Sequence, residues 1–282
     1  MAIKQLFVVG AGTMGNGIAQ TAAVSGYQVT MMDITEEFVQ RGQAAIRKSV
    51  EKLAEKGKIT PLQKEAALAI VGTPELAMAA SADLVIEAAT ENPELKLKLF
   101  KDLDKIAKPE AILASNTSSI SINKLAAATQ RPIQVIGMHF FNPVPLMTLL
   151  EVVRGQATSE QTLAAALEVG QQMGKIAVVV KDSPGFVSNR LLCPMINEAI
   201  LALGEGVADA EGIDTVMKLG MAHPIGPLAL ADLIGLDVVL FIMEVLHRDF
   251  SDEKYKPAEL LRRMVAEGKL GRKSGQGFYE YK

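Results

Sequence analysis

The sequence predicts an α/β fold in which a doubly wound, mostly parallel sheet is followed by a smaller all-α domain. In the first two-thirds of the chain, short β-rich runs alternate with helical patterns, which is typical of βαβ units stacked on a parallel sheet. The β-rich runs are almost continuously apolar, as expected for strands covered on both faces. After residues 181–185, where a Pro-Gly pair marks a turn, the pattern is helical throughout.

Seven strands are predicted from the apolar runs, in chain order: 5–9, 28–32, 84–88, 112–114, 134–138, 148–153 and 176–180. Between them lie helical patterns, including a polar helix over residues 35–58 that is expected to face solvent on one side. Four helices are predicted after the turn: 187–203, 210–219, 228–248 and 257–266. We therefore expect an N-terminal domain over residues 1–182 and a C-terminal domain over residues 183–282.

Length and composition favour a folded enzyme. The 282-residue chain is long for one hydrophobic core, so two domains of ordinary size are expected. Hydrophobic residues make up 49% of the chain and charged residues 22%, which is typical of globular proteins. The formal net charge of -3 provides no broad attraction to nucleic acid or to an anionic membrane, so any bound phosphate must be held by local groups.

No segment predicts export or membrane insertion. The first apolar run, residues 6–9, is short and ends in glycine, so it is interpreted as a strand. The longest apolar stretch, residues 227–246, is interrupted by Asp232, Asp237 and Glu244 and predicts a buried helix. A single cysteine, Cys193, cannot form an internal disulfide, and its apolar neighbours favour a buried thiol. We expect a soluble, cytoplasmic protein with no metal site and no nucleic-acid or membrane partner.

A glycine-rich fingerprint follows the first predicted strand. It consists of Gly10, Ala11, Gly12, Thr13, Met14 and Gly15. Between a strand and a helix, such glycines allow a tight turn and bring a pyrophosphate close to the helix N-terminus. Asp33 ends the second strand, 18 residues beyond Gly15, near the spacing of an acid that binds the adenosine ribose. We therefore predict a Rossmann-type domain that binds NAD in preference to NADP; the alternative is that Asp33 only caps the next helix.

Oxidation of a secondary alcohol requires a base, and the sequence offers three histidines. His223 lies in a turn and His247 follows a long apolar helix, so both are interpreted as structural or exposed. His139 lies at the carboxyl end of a predicted strand, where doubly wound sheets bind ligands, and is the candidate base. Glu151, the one acid in an apolar run, is the candidate partner that holds its ring. The alternative for Glu151 is an edge-strand side chain facing water.

Further polar side chains are candidates for orienting a substrate or the cofactor. Ser118 and Asn116 follow a predicted strand, and their hydroxyl and amide groups suit either task, although polar loops are common. Asn189 lies in the first helix of the predicted C-terminal domain, where asparagine is mildly disfavoured, which indicates a specific role.

Six motifs in matching order and spacing produce a family resemblance. They are GAGTMG at 10–15, SNTSS at 115–119, HFFNPVP at 139–145, DSPGFVSNR at 182–190, HPIGP at 223–227 and GRKSGQGFYEY at 271–281. On these motifs the chain resembles the 3-hydroxyacyl-CoA dehydrogenases, and most closely their short bacterial members that act on 3-hydroxybutyryl-CoA. The resemblance spans nearly the whole chain.

The resemblance implies roles at the matching positions. His139 would be the catalytic base with Glu151 as its carboxylate partner, and Ser118 and Asn189 would lie near the C3 oxygen of the substrate. Cofactor contacts are implied at Asp33, Glu91, Lys96, Ser118, Asn142 and Lys273.

The resemblance also implies a reaction, a substrate and an assembly. Hydride would pass between NAD and C3 of a short (S)-3-hydroxyacyl-CoA, with CoA contacts at Ser49 and Lys56 and with Asn142 shaping the pocket. For Lys56 the alternative is a solvated helix lysine. The family implies a homodimer through the C-terminal domain, for which residues 228–246 supply apolar surface. Two other functions stay open: oxidation of a free hydroxy acid, which needs no CoA contacts, and a catalytically silent cofactor-binding protein.

Overall fold

The computed structural model describes residues 3–281. Two compact units divide the chain between Asp182 and Ser183. The first unit contains the sheet and the second is helical. Between residues 3 and 281, no helix is both long enough and apolar enough to span a bilayer.

The sheet of the first unit has eight strands. They are β1 (Gln5–Val9), β2 (Gln28–Met32), β3 (Val71–Thr73), β4 (Leu84–Glu87), β5 (Ile112–Ser115), β6 (Val135–Phe140), β7 (Leu149–Arg154) and β8 (Ile176–Lys181). Their order across the sheet is β3-β2-β1-β4-β5-β6-β7-β8. The winding direction therefore reverses between β1 and β4, and ligands of doubly wound sheets bind beyond the carboxyl ends of the strands at such a point.

The predicted mostly parallel sheet is confirmed, with two additions. Neighbouring strands pair in parallel except β6 and β7, which are antiparallel with His139 directly opposite Glu151. The short edge strand β3 is absent from the predicted strands, because three residues that include Gly72 give neither an alternating nor a sustained apolar pattern. Residues 141–148 form the loop that connects β6 to the antiparallel β7.

Six α-helices accompany the sheet in the first unit. They are α1 (Thr13–Val24), α2 (Glu36–Glu55), α3 (Pro61–Leu68), α4 (Pro93–Ile106), α5 (Ile122–Ala127) and α6 (Glu160–Gln172). Helix α2 is amphipathic: Val39, Ile46 and Val50 are buried, while most of its polar residues are exposed. The Asn92 side chain accepts a hydrogen bond from the Leu95 N–H at the start of α4. Because α4 begins directly after the loop that follows β4, its first turn faces the carboxyl end of that strand.

The second unit contains α7 (Ser188–Gly204), α8 (Ala210–Gly220), α9 (Pro227–Ile234), α10 (Leu236–Phe250) and α11 (Glu259–Ala266). The prediction of one helix over 228–248 is wrong. Gly235 has a φ of +106° and ends α9 before α10 begins, although the apolar pattern runs through it without a break. The buried Asp232 accepts hydrogen bonds from the Phe278 and Tyr279 N–H groups, both at 3.0 Å, and so anchors the C-terminal segment to α9.

Cys193 is buried in α7, and its burial raises the pKa of the thiol to about 12. The thiolate, which is the nucleophilic form of cysteine, is therefore scarce at neutral pH. This environment is that of a core side chain.

Candidate active site

The glycine-rich turn lies at the carboxyl end of β1, at the switch point of the sheet. Gly10 has a φ of +105°, and a Cβ there would lie 2.6 Å from the carbonyl oxygen of Ala88 after β4. A Cβ on Gly15 would overlap the Gly10 carbonyl, so this glycine lets α1 pack closely on the turn. A Cβ on Gly12, the N-cap of α1, would meet nothing within 4 Å. Two glycines therefore shape the turn, and the third leaves open space at the N-terminus of α1.

Asp33 lies beside this turn, at the end of β2. Its Oδ2 accepts a hydrogen bond from the Ala11 N–H at 2.7 Å, and its Oδ1 accepts one from the Ile34 N–H at 2.7 Å. Each carboxylate oxygen has a second lone pair, so both oxygens can still accept a ligand hydroxyl. A cavity of about 220 Å³ is lined by Asp33 together with Gly10, Gly12 and the residues that follow β4. These residues fit the adenosine and pyrophosphate parts of NAD.

The capping interpretation of Asp33 is wrong. The N-cap of α2 is Thr35, whose hydroxyl accepts a hydrogen bond from the Phe38 N–H at 3.3 Å. The Asp33 carboxylate instead joins the glycine-rich turn to the end of β2. Thr13 and Met14 lie in the first turn of α1, directly after the open space at Gly12.

His139 and Glu151 form a buried pair across the antiparallel strands β6 and β7. The two side chains expose 9% and 3% of their surface, and Nδ1 of His139 lies 2.8 Å from Oε2 of Glu151. Because β7 runs between β6 and β8, the interpretation of Glu151 as an edge-strand residue facing water is wrong. When Nδ1–H donates to the carboxylate, Nε2 carries the lone pair that accepts a proton. The pair is thus able to act as an oriented base.

Glu91 joins the loop after β4 to the loop after β5. Its Oε1 accepts hydrogen bonds from the Ser118 N–H at 3.0 Å, from the Ser119 N–H at 3.1 Å and from the Ser119 and Thr117 hydroxyls. Burial by itself would raise the pKa of Glu91, but the Lys96 charge and these hydrogen bonds outweigh it and lower the pKa. Glu91 is therefore an anion that holds the backbone of Ser118.

Lys96 lies in α4, and only 1% of its surface is exposed. Its Nζ donates to Glu87 Oε1 at 2.5 Å and to the Ala89 carbonyl at 3.1 Å, and it lies 3.3 Å from Glu91 Oε2. These three oxygens account for the three donors of an ammonium group. The geometry therefore places Lys96 behind Glu91, where it holds this acid and the loop after β4.

Glu87 was not among the predicted site residues. It is fully buried, and its second oxygen accepts a hydrogen bond from the Ser115 hydroxyl at 2.6 Å. The sequence does contain a signal: an acid closes the apolar run of β4, and a buried acid requires a cationic partner such as Lys96 nine residues later. Glu87, Lys96 and Glu91 form one buried charge cluster that connects β4, α4 and the loop after β5.

Asn116 directly follows β5, and Asn142 follows β6. The Asn116 side-chain oxygen accepts a hydrogen bond from the Phe140 N–H at 2.9 Å, which ties the end of β5 to the residue after His139. Asn142 is exposed in the 141–148 loop. The Phe141 ring packs on His139, with 4.6 Å between the ring centroids. Asn116 therefore positions the backbone beside the candidate base.

Ser49 and Lys56 line a groove between α2 and the 141–148 loop. The groove has a volume of about 430 Å³, and three further lysines line it, namely Lys48, Lys52 and Lys58. Pro143, Pro145 and Leu146 form its opposite wall. We call this the lysine groove; four ammonium groups beside an apolar wall suit a ligand that combines phosphates with an apolar part. The extra lysines were not predicted, because on sequence alone they resemble an ordinary solvated helix face.

Asn189 and Lys273 belong to the second unit. Asn189 lies in the first turn of α7, where its N–H donates to the Gly185 carbonyl at 3.1 Å. Lys273 follows α11, and its Nζ lies 2.7 Å from Asp237 Oδ2.

Of the remaining histidines, His247 on α10 contacts Glu253 at 3.1 Å, and His223 lies in the turn before α9. Within residues 3–281, no cluster of three or more histidine, cysteine or acidic side chains is placed to hold a metal ion.

The sheet order, the glycine turn and Asp33 define the class of NAD-binding Rossmann proteins, and comparisons with known proteins define the family. Residues 5–183 match the model of the 3-hydroxyacyl-CoA dehydrogenase NAD binding domain, and residues 185–281 match that of the C-terminal domain of the same family. The chain belongs to the 3-hydroxyacyl-CoA dehydrogenase family. It is an NAD-dependent oxidoreductase.

Individual relatives match over essentially their full length. A probable 3-hydroxybutyryl-CoA dehydrogenase of Deinococcus radiodurans is 56% identical over 97% of this chain and 99% of its own. One of Bacillus subtilis is 55% identical over 100% of this chain and 98% of its own. The crystal structure of (S)-3-hydroxybutyryl-CoA dehydrogenase from Ralstonia eutropha superposes with a TM-score of 0.97 at 56% identity, covering 100% of both chains.

Proposed function

We propose that the protein interconverts (S)-3-hydroxybutyryl-CoA, or another short 3-hydroxyacyl-CoA, and the corresponding 3-oxoacyl-CoA such as acetoacetyl-CoA. The observation that supports this function most directly is the buried His139–Glu151 pair, in the sheet that also contains the glycine turn. The names of relatives that match over full length support the same substrate class.

His139 acts as the base in the oxidative direction. Glu151 holds the ring through Nδ1 and stabilises the imidazolium that forms when Nε2 takes the proton of the C3 hydroxyl. NAD bound at the glycine turn and Asp33 would supply the hydride-transfer chemistry at C3 in both directions. In reduction, the His139 imidazolium gives its proton back to the C3 oxygen. Ser118 and Asn189 orient that oxygen, so that positioning supplies much of the acceleration.

The remaining candidate residues bind the two ligands. The cofactor is held at the glycine turn and Asp33, with Glu91, Asn116, Asn142 and Lys273 as further contacts and with Lys96 acting through Glu91. The lysine groove, including Ser49 and Lys56, holds the phosphate-bearing part of CoA, because its ammonium groups supply local positive charge in a protein whose net charge is -3.

The direct test is the loss of NADH absorbance when the purified protein is mixed with NADH and acetoacetyl-CoA. Parallel reactions contain NADPH in place of NADH, or free acetoacetate in place of the CoA ester. We expect oxidation only with NADH and the CoA ester. Reaction with the free acid alone would favour a hydroxy-acid dehydrogenase, and bound NADH without any reaction would favour a catalytically silent protein.

Asp33 is expected to set the cofactor preference. In Asp33→Asn, the neutral amide loses a charge-assisted hydrogen bond to the ribose and no longer repels a 2′-phosphate. Such a bond contributes about 1.5–3 kcal/mol, so kcat/KM for NADH is expected to fall about 10- to 100-fold while that for NADPH does not fall. The matched control is Glu36→Gln, which removes an equal charge from the exposed start of α2. An unchanged NADH/NADPH ratio in Asp33→Asn would contradict the assignment.

The second unit is expected to form a homodimer. Much of the 228–246 stretch is buried within the unit, but Leu233 and Phe241 expose 52% and 43% of their surface, and Val216 and Leu219 on α8 expose 61% and 82%. Exposed apolar side chains on α8, α9 and α10 are surface that a partner subunit could cover. Light scattering coupled to gel filtration should give twice the 30.1 kDa chain mass at micromolar concentration. The mass of a single chain would contradict this expectation.

A further inference from the structure

Lys175 is a buried cation to which the proposed reaction assigns no role. It lies between α6 and β8, and 9% of its surface is exposed. Its N–H donates to the Gly170 carbonyl at 2.9 Å, which fixes its backbone to the end of α6. Its Nζ donates to the carbonyl oxygens of Val144 and Met147, at 2.5 and 2.7 Å. The Lys175 side chain therefore bridges two carbonyl groups of the 141–148 loop.

The chemistry of this contact is unusual for a buried lysine. Within residues 3–281, Lys175 forms no salt bridge with a carboxylate, and the neutral carbonyl oxygens of Val144 and Met147 accept the hydrogen bonds of its ammonium group. Burial lowers the pKa of Lys175, which means that the fold opposes the charge that these carbonyls attract. A buried cation without a counter-ion is costly, and its hydrogen bonds to the loop are the compensating interaction.

The loop that Lys175 holds connects the two halves of the candidate site. It begins two residues after His139 and ends just before β7, which carries Glu151. Within the loop, the Pro143 carbonyl accepts hydrogen bonds from the Leu146 and Met147 N–H groups at 2.9 and 3.0 Å, which close a turn. Val144 packs closely on Gly17 of α1, and the Thr148 carbonyl accepts a hydrogen bond from the Ile176 N–H at 2.7 Å. Lys175 binds this turn on both sides, at Val144 and Met147, and so ties it to the start of β8.

The lysine groove depends on the same loop. Its apolar wall consists of Pro143, Pro145 and Leu146, each of which is next in the chain to Val144 or Met147, whose carbonyls Lys175 binds. We propose that Lys175 is a positioning residue that fixes this wall and so determines how tightly the CoA part of the substrate binds. The inference rests on the proposed function, because it assigns the lysine groove to CoA.

The test separates CoA binding from chemistry. Lys175→Met keeps the length and the apolar stem of the side chain and removes the two hydrogen bonds. KM and kcat are measured with acetoacetyl-CoA and with an acetoacetyl thioester truncated at pantetheine, which lacks the nucleotide phosphates. We expect KM for the CoA ester to rise about tenfold, with kcat and KM for NADH changed less than about twofold, because a displaced wall weakens binding of the remote part of the substrate. With the truncated thioester, KM should be almost the same as in the wild type.

The matched control is Lys181→Met, which removes an exposed lysine from the other end of β8 and should change none of these constants. If Lys175→Met does not fold, Lys175→Gln provides the same test, since its amide retains two donors on a shorter side chain; a smaller but still CoA-specific rise in KM is then expected. An unchanged KM for the CoA ester, or equal losses with both thioesters, would overturn the role of Lys175. A wild-type protein inactive on both thioesters would overturn the proposed function itself.

Discussion

Replacement of His139 by glutamine is expected to lower kcat about 10³-fold with acetoacetyl-CoA and NADH. General acid–base catalysis contributes roughly 10²- to 10⁴-fold, and glutamine fills a similar space without accepting the proton. The Kd of NADH should change less than about threefold, because the glycine turn and Asp33 lie at the other side of the switch point. Steady-state kinetics and a fluorescence titration with NADH measure the two quantities.

His247 provides the matched control for this substitution. It is a partly exposed histidine on α10 that contacts an exposed Glu253, so His247→Gln should retain nearly full turnover. Circular dichroism and thermal unfolding establish that both variants are folded. Turnover of folded His139→Gln within about tenfold of the wild type would contradict the role of His139 as base.

Parts of the fold were predictable because each depends on a local pattern. The strands β1 and β2 have the predicted bounds, since an apolar run in each ends at a residue with a distinct role, Gly10 or Asp33. The candidate base and its acidic partner were identified from position and residue type alone. The structure adds the reason for their pairing: β7 is antiparallel to β6, which places Glu151 directly opposite His139.

Other features depend on interactions between distant residues. The antiparallel direction of β7 follows from the 141–148 loop and its neighbours, whereas an apolar run has no direction of its own. The break at Gly235 was not predictable from the pattern, because one glycine in a helix costs only about 1 kcal/mol and does not by itself end it. The contacts of Lys175 are of this kind, since the carbonyls that it binds lie 28 and 31 residues away, and the Ser115 partner of Glu87 lies 28 residues away.

Removal of the Lys96 charge is expected to be the most destabilising single substitution in the candidate site. In Lys96→Met, the fully buried Glu87 loses its ion pair, and the loss of one partner of a buried pair costs about 3–5 kcal/mol. The free energy of unfolding, measured with urea, should fall by this amount. Lys98→Met on the same helix is the control, because Lys98 is 76% exposed and pairs with Asp102 at the surface; its effect should stay within about 0.5 kcal/mol.

Two further measurements distinguish a charge effect from a packing effect. In the double variant Glu87→Gln/Lys96→Met no uncompensated acid remains at position 87, so its free energy of unfolding should be about 1–3 kcal/mol higher than that of Lys96→Met.

The pKa of Glu91 in the folded protein is lowered, so the contribution of Glu91 to stability is present above its unfolded pKa and is lost as the pH falls through its folded pKa. Without Lys96 the folded pKa of Glu91 rises, and acid unfolding should begin at a higher pH than in the wild type. If the double variant is no more stable than Lys96→Met and the acid transition does not move, the cost lies in packing around α4, and the charge cluster is not what holds Glu91 beside Ser118.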